Sequence, residues 1–292
     1  MQALFGQLLI GLINGAFYAM LSLGLAVIFG LLNIINFTHG AQYMMGAFCA
    51  WLLLQYAHVG DYYLGYWWAL VIAPLVVGAI GIVIERTMLS RLYKLDHLYG
   101  LLLTFGLALV IQGVFRNEFG SSGLPYQIPA LLTGGLNLGF MFLPIYRAWV
   151  IVASLIICLA TWYVIERTKL GSYLRAATEN RELVQAFGVN VPRMITLTFG
   201  FGVALAALAG VMAAPITNVS PQMGANLIIV VFAVVVIGGM GSIMGAIVTG
   251  FGLGLIEGLT KVYYPEAANT AIFVIMAIVL LVRPAGLFGR RA

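Results

Sequence analysis

Charged side chains are scarce in this chain of 292 residues. Aspartate, glutamate, lysine and arginine make up 8% of the sequence, whereas hydrophobic residues make up 63%. A soluble globule of this size needs more polar surface than such a composition provides, so the chain requires lipid as its solvent. The sequence also lacks the period-two alternation of a membrane β-barrel. Backbone groups in lipid must then be paired inside α-helices.

Several kinds of functional site have no support in the sequence. The two cysteines, Cys49 and Cys158, lie inside apolar runs, which favours packing over a disulfide framework or a thiolate metal site. His39 has no second histidine or carboxylate at ligand spacing, so we expect no metal. The basic residues are dispersed singly, unlike the stripe of a nucleic-acid binder. No constellation suits acid-base or nucleophilic catalysis, so we expect a protein that is not an enzyme and has no cofactor.

Apolar runs of the length that a membrane helix needs, about 20 residues, recur along the chain. We predict an all-α membrane protein, a polytopic bundle of eight or nine transmembrane helices with broken or re-entrant segments, forming a single domain over residues 1–292. The N-terminus lacks a basic stretch and a cleavage site, so we expect the first helix to remain in the mature protein. The runs lie near residues 5–30, 40–57, 67–84, 98–115, 147–165, 194–213, 226–240, 243–262 and 267–282.

The distribution of basic residues predicts the orientation of the chain. If the runs cross the membrane alternately, 11 of the 14 lysine and arginine residues lie on one face, which the positive-inside tendency makes cytoplasmic. The longest polar segment of this face is the cytoplasmic loop at about 166–193. The opposite, periplasmic face carries a loop at about 117–146. That loop either forms a small hairpin-like docking platform or simply connects two helices.

Two polar, glycine-containing breaks interrupt the apolar runs in a similar way. Asn36 to Gly40 precede Gly46-Ala47, and Gly238 to Ser242 precede Gly245-Ala246. This similarity suggests a duplicated helix-break-helix unit, a feature that transporters often carry near their solute pathway.

The cytoplasmic loop contains the pattern of a short, capped helix. Thr178 or Asn180 can serve as the N-cap, and Gly188 can end the helix in the left-handed conformation. Two apolar side chains one turn apart would suit a groove on a soluble partner, although an ordinary loop helix has the same pattern. The candidate coupling residues are Thr178, Glu179, Asn180, Glu182, Leu183, Phe187 and Gly188.

A cluster of polar residues lies between the first two apolar runs. Its members are Asn33, Asn36, Thr38 and His39. Unpaired polar groups are costly inside a membrane, so these residues either line the solute path or cap two helix ends near the inner headgroups.

Glycines recur every four residues in the eighth run, at Gly250, Gly254 and Gly258. This spacing favours close helix packing. The strand and the lysine of a phosphate-binding loop are absent, so we do not expect this chain to bind ATP itself. Glu257 is the one acid in a late run, and it lies four residues before Lys261, which predicts a local ion pair.

The cytoplasmic segment LGSYLRAATENRELVQAFGVNVPR (170–193) resembles the coupling loop of bacterial ABC importer permeases. Together with residues 24–47, 214–250 and 280–291, it is similar to the LivH-type permease subunit of branched-chain amino acid ABC importers. The resemblance implies two cytoplasmic ATP-binding subunits, a second related, LivM-like permease subunit and a periplasmic solute-binding protein, in the bacterial inner membrane. It implies branched-chain amino acids or similar small solutes as cargo. The alternative is a stand-alone channel or ion-coupled carrier.

Overall fold

The fold is that of an all-α membrane protein, described here from a computed structural model. The structure describes residues 2–32, 36–59, 62–63, 65–93, 95–139 and 141–289. Nine of its helices overlap the nine predicted apolar runs, and α6 and α7 occupy the polar cytoplasmic segment. The helices of the described residues are α1 Gln2–Leu32, α2 Thr38–Tyr56, α3 Tyr66–Thr87, α4 His97–Phe119, α5 Ile145–Arg167, α6 Lys169–Glu179, α7 Arg181–Ala186, α8 Val191–Thr217, α9 Met223–Gly238, α10 Ile243–Tyr263 and α11 Ala268–Val282.

Two small antiparallel hairpins accompany the helices. Strands β1 His58–Val59 and β2 Tyr62–Tyr63 pair after α2. Strands β3 Gly135–Asn137 and β4 Phe142–Pro144 pair before α5, with Leu136 opposite Leu143. The second hairpin lies inside the loop at 117–146, where a hairpin was one of two alternatives. Its use as a docking platform remains a prediction.

Six helices of the described residues are long and apolar enough to cross a membrane. They are α1, α3 with the turn that follows it, α4, α5, α8 and α10. The apolar helices α9 and α11 are shorter, and α2 begins with the polar residues Thr38, His39 and Gln42. The chain is therefore a multi-pass membrane protein. The number of eight or nine spans remains a prediction because it depends on α2, α9 and α11.

The chain divides into two compact units. The first unit comprises the residues up to Leu23, Gln127–Ala160 and the residues from Ile229 onward. The second unit comprises Gly24–Tyr126 and Thr161–Ile228.

In the second unit, α8 packs against both α2 and α3. Small residues allow the backbones to touch: a Cβ atom added at Gly210 would overlap the carbonyl oxygen of Tyr43, and one added at Gly46 would overlap that of Ala207. Most of α8 is buried, whereas most of α4 is exposed. The exposed side chains of α4 include Leu102 and Leu109, as expected of a surface that faces lipid.

In the first unit, α1 and α10 approach each other through glycines. A Cβ atom at Gly254 would overlap the carbonyl oxygen of Gly11, and one at Gly258 would overlap that of Gln7. Helices in lipid gain little from the hydrophobic effect when they associate, so backbone contact of this kind supplies much of the attraction. The glycine spacing therefore serves helix packing, as predicted.

Glu257 links α10 to α1. Its carboxylate is 3% exposed and accepts hydrogen bonds from the Tyr18 hydroxyl at 2.7 Å and from Asn14 Nδ2 at 3.2 Å. The predicted ion pair is also present, with Lys261 Nζ at 2.5 Å from Glu257 Oε1. Three donors thus satisfy a charge that would be costly to bury alone.

The segment after α11 supplies the cap of α9. The backbone N–H of Leu287 donates to the carbonyl oxygen of Ile237 at 2.8 Å, and that of Phe288 donates to Gly238 at 3.1 Å. Gly286 has φ of 81° and lies so close to Gly239 that a side chain at Gly286 would overlap that backbone. Carbonyl groups that the end of α9 leaves unpaired are thereby satisfied.

We predict that Gly254→Ala lowers the free energy of unfolding by about 1–3 kcal/mol, because the added methyl group overlaps the backbone of α1. Gly252→Ala is the matched control, since a Cβ atom there meets nothing within 4 Å. Thermal unfolding of the purified variants in detergent measures the difference. Equal unfolding temperatures for both variants would contradict the close contact of α1 and α10.

We predict that Tyr18→Phe lowers the free energy of unfolding by about 1.5–3 kcal/mol, because it removes one hydrogen bond to a buried carboxylate. Tyr163→Phe, at an exposed position of α5, is the control and should be neutral. The same unfolding measurement applies. A neutral Tyr18→Phe would show that the remaining donors satisfy Glu257 without the hydroxyl.

Candidate functional site

The polar segment between α5 and α8 folds back on the end of α5. Arg175 Nη1 on α6 donates to the carbonyl oxygen of Ile165 at 3.1 Å and to Glu166 Oε2 at 3.3 Å. Gly171 lies so close to Ile165 that a side chain at this position would overlap the carbonyl group. Helix α6 is therefore attached to the end of α5 by backbone contact and by one arginine.

Helix α7 begins and ends with defined caps. Asn180 is its N-cap, and Asn180 Oδ1 accepts from the backbone N–H of Leu183 at 2.9 Å. Gly188 follows the helix with φ of 84°, in the left-handed conformation that was predicted. These two residues limit α7 to six residues.

Two of the candidate residues belong to α6 rather than to α7 or its caps. Thr178 lies in α6 and donates to the carbonyl oxygen of Arg175 at 2.7 Å, so Thr178 as the N-cap was wrong and Asn180 has this role. Glu179 is the last residue of α6, which leaves Glu182 as the acid in the first turn of α7. The segment forms two helices rather than one because Asn180 adopts an extended backbone between them.

The two faces of α7 differ in exposure. Val184 is 7% exposed and points into the protein. Leu183 is 55% exposed and Phe187, the residue after the last turn, is 79% exposed. An exposed apolar pair is available to a partner protein, and its contact with one, like its location on the cytoplasmic face, remains a prediction.

Helix α8 starts directly after this segment. Asn190 is its N-cap and accepts from the backbone N–H of Arg193 at 3.1 Å, while Pro192 lies in the first turn. Proline suits this position because its missing N–H has no partner within the helix. Only four residues, 187–190, connect α7 to α8, so the two helices cannot move far apart.

A buried acid lies beside the start of α8. Glu85, in the last turn of α3, is 2% exposed and accepts from the Tyr93 hydroxyl at 2.6 Å and from Thr196 Oγ1 at 2.7 Å. We call these three residues the Glu85 cluster. Burial raises the pKa of Tyr93, the hydrogen bond and charge of Glu85 act in the same direction, and the charge of Arg181 opposes them.

A crevice of about 380 Å³ separates the Glu85 cluster from α7. The cluster forms one part of its lining, and Arg181 and Gln185 of α7 form another. Sequence analysis missed this site. Its one signal was an acid directly before Arg86 at the end of an apolar run, a pattern that surface ion pairs share.

The polar cluster at the α1–α2 break is completely buried. Asn36, Thr38, His39 and Gln42 are each at most 1% exposed. Thr38 Oγ1 donates to Asn36 Oδ1, Asn36 Nδ2 donates to Gln42 Oε1 at 3.4 Å, and Gln42 Nε2 donates to Thr38 Oγ1 at 3.5 Å. The fourth predicted member, Asn33, lies outside the described residues.

These side chains bond to one another instead of capping α2. The N-cap position of α2 is Phe37, which makes no side-chain capping bond, and its backbone N–H donates to Thr104 Oγ1 of α4 at 3.2 Å. Gln42 and Thr104 were not among the predicted residues. Gln42 lies one turn beyond Thr38 and was within reach of sequence reasoning, whereas Thr104 is on another helix.

His39 packs against a glycine of α1. A Cβ atom at Gly24 would lie 2.9 Å from His39 Cε1, so the close approach of the ring depends on the glycine. No three His, Cys, Asp or Glu side chains within the described ranges are grouped to hold a metal ion.

Comparison with known proteins identifies the family. The model of the family described as "Branched-chain amino acid transport system / permease component" matches residues 7–283. The chain is 29% identical over 296 residues to the high-affinity branched-chain amino acid transport system permease protein LivH of Escherichia coli strain K12, covering 97% of this chain and 95% of LivH. It is also 29% identical over 292 residues to the corresponding permease protein BraD of Pseudomonas aeruginosa, with the same coverage.

A more distant relative matches only part of the chain. The fructose import permease protein FrcC of Rhizobium meliloti is 37% identical over 123 residues, which cover 38% of this chain and 34% of FrcC. By contrast, the family model and the two full-length relatives span nearly every helix described above. The chain thus belongs to the family of branched-chain amino acid transport system permease components, and it is a membrane transport subunit rather than an enzyme.

Proposed function

We propose that this chain is the permease subunit of an ATP-driven ABC importer that moves branched-chain amino acids or similar small solutes into the cytoplasm. The observation that carries the proposal is the match of the family model to residues 7–283, together with full-length relatives named for branched-chain amino acid transport. The exposed apolar pair on α7 supports it independently, because a permease without its own ATP site needs a contact with an ATPase.

We propose that the assembly contains two cytoplasmic ATP-binding subunits, a second, LivM-like permease subunit and a periplasmic solute-binding protein, in the bacterial inner membrane. In this assembly, residues 1–292 act as one permease domain with eight or nine spans. The names of the relatives, which are components of transport systems, support the existence of such partners.

Helix α7 is suited to act as the coupling helix. Leu183 and Phe187 present an apolar surface that fits a groove on the ATP-binding subunit, while Val184 anchors the opposite face. An isolated helix of six residues is unstable in water. The caps at Asn180 and Gly188 and the burial of Val184 therefore make α7 a defined element that a partner can push.

Movement of α7 reaches the membrane through its two connections. Helix α6 is bonded to the end of α5, and only four residues lie between α7 and α8. ATP binding closes the ATP-binding subunits and shifts α7, and this shift favours one of two arrangements of the membrane helices. The coupling set comprises Thr178, Glu179, Asn180, Glu182, Leu183, Phe187 and Gly188, with Thr178 and Glu179 supporting α7 from α6.

The polar cluster at the α1–α2 break is suited to line the solute path. Asn36, Thr38 and Gln42 bond to one another and exclude solvent in the present arrangement. A polar solute that reached them would replace these weak mutual bonds with its own. We place His39 and Asn33 on the same path, the latter outside the described residues.

We predict that the double variant Leu183→Asp/Phe187→Asp abolishes uptake without preventing membrane insertion. Loss of two apolar contacts of about 1.5 kcal/mol each weakens binding of the ATP-binding subunit on the order of 100-fold. Co-purification of that subunit measures assembly, and ATP-driven leucine uptake by the complete importer in proteoliposomes measures transport.

Leu183→Met/Phe187→Leu is the matched control, because it keeps the surface apolar and should retain both activities. Normal uptake by the aspartate variant would refute the coupling role of α7. Uptake by this chain alone, without ATP or partners, would instead favour a stand-alone channel or ion-coupled carrier.

A further inference from the structure

The Glu85 cluster joins three elements at the inner face of the second unit. Glu85 lies at the end of α3, Tyr93 follows the 3-10 turn Leu89–Leu92, and Thr196 lies in the second turn of α8. The two hydrogen bonds to Glu85 use different carboxylate oxygens, at 2.6 Å from the Tyr93 hydroxyl and 2.7 Å from Thr196 Oγ1. One side chain therefore connects both helices and the turn.

The remaining contact between α3 and α8 is made by small and apolar groups. Gly78 packs on Gly200, and a side chain at Gly81 would meet Val203 at 2.8–2.9 Å. Apolar surfaces of this kind define the distance between two helices but permit small sliding movements. The directional bonds of Glu85 are what determine the relative positions of α3 and α8 at their inner ends.

Arg181, the first residue of α7, lines the same crevice of about 380 Å³ as this cluster, and Arg86 and Arg193 line it as well. Arg181 is close enough for its charge to act on Tyr93. No cation of the described residues lies within 4 Å of the Glu85 carboxylate. The crevice therefore leaves room for Arg181 to approach Glu85 when α7 moves toward the membrane.

We propose that Glu85 is a positioning residue for transport. Its hydrogen bonds hold α3 to α8, and Arg181 of α7 weakens these bonds when the ATP-binding subunit moves α7. The proposal rests on the coupling role of α7 proposed above. An approaching guanidinium competes with Thr196 and Tyr93 for the carboxylate, because it makes stronger, charge-assisted hydrogen bonds. The displacement of α7 thereby breaks the bond between Thr196 and Glu85, so that α8 can shift relative to α3.

The test compares Glu85→Gln with the parent chain in the complete importer in proteoliposomes, with leucine and its binding protein as the probe. Glutamine keeps the shape but loses the charge that Arg181 would meet. We expect the complex to assemble and to hydrolyse ATP, while the leucine taken up per ATP hydrolysed falls about tenfold. Glu85→Asp, which keeps the charge, should recover part of this ratio. Glu266→Gln, at an exposed acid after α10, is the control and should leave the ratio unchanged.

A double-mutant cycle with Arg181→Met identifies the partner. We expect Arg181→Met to lower uptake per ATP to the same degree as Glu85→Gln, and the double variant to show no further loss. An unchanged ratio in Glu85→Gln, or losses that multiply in the double variant, would overturn the proposal.

Two further variants separate positioning from folding. Should Glu85→Gln fail to fold, Tyr93→Phe and Thr196→Val each remove one hydrogen bond and keep the carboxylate. Each of them should lower the uptake per ATP while leaving the unfolding temperature of the complex nearly unchanged. An unchanged uptake per ATP in both variants would contradict the positioning role of Glu85. The two proposals can fail separately. If Leu183→Asp/Phe187→Asp loses the ATP-binding subunit but Glu85→Gln keeps the normal uptake per ATP, the coupling role of α7 stands and the role of Glu85 is refuted.

Discussion

The hydrocarbon core of a membrane contains no water, and most of this structure follows from that constraint. Backbone groups that lie in lipid must be paired within their own segment, so the apolar runs form helices. Helices in lipid also lack the hydrophobic drive that brings helices together in water. Contact between α1 and α10, and between α8 and α2, therefore depends on glycines that allow carbonyl groups to touch the neighbouring backbone.

The same constraint explains how the buried polar side chains are arranged. Glu257 receives three donors, Glu85 receives two, and the amides of Asn36 and Gln42 are bonded within their own cluster. Each set is largely self-contained, because an unpaired polar group would cost free energy in this environment. The two glutamate sets also join separate helices or turns. Polar clusters of this kind define positions along the helix axes that apolar packing leaves adjustable, which makes them suitable points for a movement to act on.

The polar segment between α5 and α8 is stabilised in a different way from the apolar helices. Helices α6 and α7 are short, and they owe their order to Arg175, to the Asn180 cap and to the burial of Val184. The apolar side chains Leu183 and Phe187 remain exposed on this surface, where a soluble partner would cover them. Arg181 lines the same crevice as the Glu85 cluster, and its charge acts on Tyr93.

The sequence by itself determined the helical membrane class, the positions of the long helices, the packing role of the spaced glycines and the left-handed glycine at Gly188. These features depend on residues close together in the chain, whose chemistry is sufficient. Only the tertiary structure decided that Thr178 belongs to α6, that Thr196 bonds Glu85 from 111 positions away, and that Tyr18 bonds Glu257 from 239 positions away. Hydrophobic periodicity in a membrane helix is weak because almost every face is apolar, so the sequence does not indicate which faces meet. The hydrogen-bond partners of the buried acids depend on which faces meet, so they are determined by the packing of the helices.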